Sequence, residues 1–150
     1  MLFKLGKTRK VTGNVYVVRT LVSNFFIYSD CSATVCFNTG FIPYVINREL
    51  KKININPEFV SNIFLTDPNF YNMPGIKLFK NADVYMPKDV FQKRSKHIKF
   101  SIRKKNKINC RKVEDGDIVN IGNIKIKAIA FPGHKNGAIS YIVNDSILFI

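Results

Sequence analysis

Histidine is scarce in this chain: His97 and His134 are the only two among 150 residues. These residues offer a metal at most two imidazoles. Cysteine is scarce too. Cys31, Cys36 and Cys110 form an odd set without Cys-x-x-Cys spacing, which speaks against a disulfide framework and for the reduced thiols of a cytoplasmic protein. No apolar run approaches the ~18 residues that a membrane helix needs. The run over residues 15–28 is broken by Arg19 and by polar residues and reads as strands, and no export signal follows Met1-Leu2-Phe3-Lys4-Leu5, so no membrane partner is expected.

Several catalytic signatures are missing as well. Gly133-His134-Lys135-Asn136-Gly137 has the wrong spacing for a phosphate-cradling loop. Ser140 lacks the nucleophile-elbow pattern, and Cys36 and Cys110 have no histidine close by in sequence. Asp115 and Asp117 stand in an Asp-Gly-Asp arrangement that suits a turn between strands better than an acid/base pair.

Acidic residues number 10 against 24 Lys and Arg, a formal charge of +14. The excess is concentrated, with ten basic residues and no acid between Lys93 and Lys112: Lys93, Arg94, Lys96, Lys99, Arg103, Lys104, Lys105, Lys107, Arg111 and Lys112. Such a stretch attracts phosphate-rich partners, and Phe91 and Phe100 among the cations could stack on unpaired bases. Nucleic acid is thus one candidate partner. A solvated basic face is the plainer alternative, because the whole chain is rich in Lys, Asn, Ile, Phe and Tyr. His97, inside this stretch, reads as a surface residue.

With 46% apolar composition, 150 residues can bury one substantial core, most simply as a single domain over 1–150. Alternation predicts paired strands over 11–19 and 25–28, with turn chemistry at Thr12-Gly13-Asn14 and Ser29-Asp30, and a further strand over 34–37. Residues 47–52 are helix-compatible, with Ile46 and Leu50 on one face. Pro57 and Glu58 open a short second helix before a strand over 63–66. A helical element begins over 73–79, a strand follows over 83–86, and residues 88–96 are helix-compatible before a strand over 98–103. Strands over 118–121, 124–131, 139–143 and 147–150 complete an α/β (α+β) pattern with a mostly antiparallel or mixed sheet.

Four landmarks occur in order: Val35-Cys36-Phe37-Asn38-Thr39-Gly40, Ile63-Phe64-Leu65-Thr66, Pro74-Gly75 through Asp83-Val84-Tyr85, and the strand leading to Phe131-Pro132-Gly133-His134. Together they resemble the metallo-β-lactamase fold, an αββα sandwich of two similar halves. The resemblance implies that this chain is an incomplete version, the N-terminal part of the full fold. It would be either truncated or a reduced relative, whose open strand edges invite homo-oligomers.

The same resemblance places a zinc ligand at His134. It also places a His-x-His-x-Asp-His motif where this chain reads Asp67-Pro68-Asn69-Phe70-Tyr71-Asn72, and an acid where it carries Asn38. A zinc hydrolase of this type needs imidazoles and a carboxylate, so that bound water loses a proton near neutral pH and attacks the substrate. Asp67 and His134 are the two candidate metal ligands. Asn69 and Asn72 offer only neutral amides, and Tyr71 ligates only as a phenolate. Two ligands fall below the three of a catalytic zinc site, so zinc is admitted as a cofactor but not favoured. Asp67 with Asn69 would hold magnesium or calcium only weakly.

Three functions stand against one another: an impaired or inactive hydrolase relative, an anion or nucleic-acid binding module using 93–112, and a residual metal-dependent hydrolase. The small-molecule substrate is left open, since the resemblance covers β-lactams, thioesters, lactones and phosphodiesters alike.

Overall fold

The computed structural model describes residues 6–67, 73–90, 109–130 and 137–150. The expected strand over 98–103 and the part of the expected helix beyond residue 90 lie outside the described residues.

The chain opens as an antiparallel meander of β1 (Arg9–Thr12), β2 (Val15–Arg19), β3 (Asn24–Ser29) and β4 (Thr34–Phe37). A crossover through α1 (Pro43–Lys52) then reverses the pairing sense. β5 (Asn62–Phe64), β6 (Asp83–Pro87) and β7 (Cys110–Val113) join in parallel, so one sheet runs β1 to β7 in sequence order. A second, antiparallel sheet of β8 (Ile118–Ile121), β9 (Ile124–Ala130), β10 (Ile139–Val143) and β11 (Ile147–Phe149) has the order β11-β10-β9-β8.

The period-2 alternation of a strand explains the layering. In β4, Cys36 faces a cluster with Ile46 and Leu50 of α1, while Val35 and Phe37 face the second sheet. In β5, Ile63 and Phe64 divide the same way. Central strands covered on both sides need apolar residues at successive positions, which is why they read as unbroken hydrophobic runs. Between the sheets lies an aromatic seam. Phe37 stacks on Phe149 with ring centroids 4.1 Å apart, and Phe64 meets Tyr141 edge-on at 5.3 Å. Each such fully buried side chain contributes about 1.5–3 kcal/mol relative to exposure. The opposite face of the second sheet leaves Ile118 and Leu148 about half exposed.

α1 begins at Pro43 rather than near residue 47. Its N-terminal flank Ile42 offers no side-chain cap, but proline tolerates the first helical position because no N–H is lost there. The elements expected at Pro57 and after Met73 are short 3-10 turns, Pro57–Phe59 and Pro74–Leu78, the first capped by Asn56 Oδ1 accepting from Glu58 N at 2.9 Å. β7 has no counterpart in the sequence reading, because Cys110-Arg111-Lys112-Val113 looks like the tail of the basic run. Among the described residues, no helix is long and apolar enough to cross a membrane.

Candidate active site

Parallel strands linked by crossovers present their C-terminal ends to a common crevice. Here the ends of β4, β5 and β6 bring together Asn38, Thr66-Asp67 and the helical turn 88–90. Asn38 leaves β4 in the left-handed region, φ 65°, which asparagine tolerates better than most side chains. Its N–H donates to Phe64 O at 2.9 Å. Its side chain then spans to the next strand: Nδ2 donates to Thr66 Oγ1 at 3.0 Å, and Oδ1 accepts from Thr66 N at 3.1 Å. Both residues are buried. A neutral amide–hydroxyl pair thus forms the floor of the crevice, directly before Asp67.

The turn after Asn38 is held tightly. A Cβ on Gly75 would lie 2.3 Å from Thr39 O, and Gly75 N donates to Gly40 O at 3.2 Å, so the chain downstream of Asp67 closes on the β4–α1 turn with no room for a side chain.

The second sheet reaches the same floor. Ile139 N donates to Thr66 O at 2.9 Å, and Tyr141 Oη donates to Leu65 O at 2.8 Å. Burial pushes the Tyr141 phenol up from its ordinary value, so it stays a neutral donor. A Cβ on Gly137 would meet Asp89 Oδ2 at 2.8 Å, which places a second carboxylate on the rim. Sequence reasoning missed Asp89, because only the tertiary approach of Gly137 reveals it.

Of the expected site residues, Asp67 is half-buried at the end of β5. Asn69, Tyr71, Asn72 and His134 lie outside the described residues, although Ile139, five positions after His134, is bonded to Thr66. Of the basic stretch, Arg111 and Lys112 are exposed on β7, and Arg111 pairs with Asp83 at 3.5 Å. Lys93, Arg94, Lys96, Lys99, Arg103, Lys104, Lys105 and Lys107 lie outside the described residues.

Solved structures with the same arrangement are metallo-β-lactamases. One from Elizabethkingia meningoseptica superposes with a TM-score of 0.75 at 20% identity, covering 95% of this chain and 58% of that one. Another, from Cronobacter sakazakii and described by its HARLDQ motif, gives 0.75 at 17% identity, with 92% and 60% covered. The chain has the metallo-β-lactamase fold. A curated relative, a probable polyketide biosynthesis zinc-dependent hydrolase of Bacillus subtilis, is 27% identical over 136 residues, 91% of this chain and 53% of the relative. The chain thus spans about half the length of the curated relative it matches. No family model matches it.

For a metallo-β-lactamase fold, the question at this crevice is whether its donors suit zinc. Among the described residues, no group of three or more His, Cys, Asp or Glu side chains comes together as a metal site. Asp67 supplies one carboxylate, and Asn38 Oδ1 is engaged by Thr66 N. The described donors by themselves fall short of the three that a catalytic zinc requires.

Proposed function

We propose that this chain is a hydrolase relative of the metallo-β-lactamase fold whose zinc site is degenerate and whose zinc-dependent turnover is lost or impaired. The observation that carries this reading is the Asn38–Thr66 pair. Where the fold resemblance expects an acid, an amide is fixed by two buried hydrogen bonds to a threonine, so the floor is wired as neutral structure. The sequence beyond it, with Asn69 and Asn72 in place of histidines, supports the same conclusion.

The test is metal content by elemental mass spectrometry after zinc or manganese loading, with His134→Ala as control. A screen of β-lactam, thioester, lactone and phosphodiester substrates accompanies it. Sub-stoichiometric metal in both proteins and no turnover support the proposal. Near-stoichiometric metal that disappears in His134→Ala, together with hydrolysis of any substrate class, overturns it.

A second reading is favoured by charge alone: the basic stretch 93–112, whose Arg111 and Lys112 stand exposed on β7, as a nucleic-acid contact. Counterion release requires such binding to weaken steeply with salt. No binding to single-stranded or duplex DNA or RNA at low salt would rule it out.

A further inference from the structure

A second cleft, of about 520 Å³, lies between the N-terminal strands and α1. It opens at the same end of the large sheet as the crevice, since Arg19 pairs with Asn24 and Phe26 pairs with Phe37, the residue before Asn38. Its chemistry is different. Glu49, 5% exposed, is the organising group. It accepts from Thr8 Oγ1 at 2.5 Å, from Lys52 Nζ at 2.6 Å and from Arg48 Nε at 3.3 Å. Thr8 Oγ1 in turn accepts from Arg19 N at 3.0 Å, which ties β2 to the helix.

One carboxylate therefore fixes two cations, Arg48 and Lys52, and the Arg19 side chain lines the cleft beside them. Arg19 Nε is buried and has no hydrogen-bond partner among the described residues. Buried donors are rarely left in that condition, and water, an ion or a ligand completes most of them. Lys7, Arg19, Arg48 and Lys52 line the cleft against Glu49 alone, four positive charges and one negative, a net +3. The side chains of Arg48 and Lys52 are more than half exposed and can reach a ligand without leaving Glu49.

We infer that this cleft binds a phosphate group, with Arg48 and Lys52, held in place by Glu49, and the Arg19 side chain beside them as its cationic contacts. A phosphate dianion matches the excess charge better than a single carboxylate, and the guanidinium fork pairs with phosphate oxygens through two parallel bonds. The site is independent of the metal question, because none of its residues belongs to the crevice at Asp67.

Calorimetric titration of the full chain with inorganic phosphate, at ionic strength held constant with chloride, tests this. Saturable binding to one site is expected, weakened at least tenfold by Arg19→Gln and by Lys52→Gln, and unchanged in a Lys104→Gln/Lys105→Gln variant. Lys52 is half exposed, so Lys52→Gln decides the matter if Arg19→Gln does not fold by circular dichroism. Phenyl phosphate is titrated alongside: affinity within tenfold of inorganic phosphate assigns the cleft to phosphate monoesters, and much weaker affinity assigns it to the free ion. No heat at ~10 mM phosphate, binding untouched by the cleft substitutions, or binding lost in the Lys104/Lys105 variant would each overturn the assignment.

Discussion

Asn38 and Thr66, 28 positions apart, exchange two hydrogen bonds across the ends of adjacent parallel strands, 3.0 Å from Nδ2 to Oγ1 and 3.1 Å from N to Oδ1. The pair does what a buried polar group in a core must do, satisfying itself internally. It also fixes where Asp67 leaves the sheet, so stability and site geometry are set by the same two side chains.

Asn38→Ala removes the side-chain partner of Thr66 N and of Thr66 Oγ1 and puts alanine at a positive φ. A destabilisation of about 2–4 kcal/mol is expected from the stranded donor and the backbone strain together. Asn38→Asp keeps an acceptor for Thr66 N, and the Thr66 hydroxyl can turn to donate to the carboxylate, so its loss should be smaller. Urea melts of the two variants check the order. Equal losses would show that the side-chain bonds contribute little.

Tyr141 joins the two sheets through a single buried bond to Leu65 O. Tyr141→Phe keeps the ring contacts with Phe37 and Phe64 and leaves that carbonyl without the phenol, at an expected cost of about 1–2 kcal/mol. Phe64→Ala, which empties the seam, should cost about 3–5 kcal/mol. Denaturant unfolding of both variants should therefore separate a lost bond from a lost ring.

The thiols should differ in reactivity for a reason of burial. Cys31 is exposed, whereas Cys36 is fully buried in β4 and burial pushes its thiol up, away from the reactive thiolate. In native protein, a thiol-specific disulfide reagent should modify Cys31 first and reach Cys36 only after denaturant is added. Early modification of Cys36 would mean that β4 opens locally.

The central strands were legible because burial on both faces forces apolar residues at successive positions, as in Val35-Cys36-Phe37 and Ile63-Phe64. The order of landmarks carried the fold. β7 escaped because, last in the sheet among the described residues, it carries Arg111 and Lys112 exposed and so loses the apolar signature. The start of α1 escaped because Ile42 is no capping residue. Asn38 and Asp67 follow the ends of β4 and β5, the two strands that the landmarks marked. The approach of Asp89 to Gly137, and the gathering of Thr8, Arg48 and Lys52 on Glu49, join residues far apart in sequence, and no local spacing signals such contacts.

Glu49 gives the chain a predictable acid response. Burial opposes ionisation of its carboxyl, but the bonds from Lys52, Thr8 and Arg48 and the charge of Lys52 outweigh it and hold the group below its ordinary value. A carboxyl depressed in the folded state adds stability that is fully present above its unfolded value and is lost as pH falls through the folded one. Glu49→Gln keeps the shape and loses the charge-assisted bonds, so it should be less stable at pH 7 by about 1.5–3 kcal/mol. On acidification the wild type sheds that advantage and the variant has none to shed. Melting curves by circular dichroism in phosphate-free buffer should therefore show a Tm gap that is constant at neutral pH and narrows below about pH 4.5, the ordinary value of the group. A gap that holds or widens in acid would mean that Glu49 is not ionised against Lys52 and Arg48 in the folded chain.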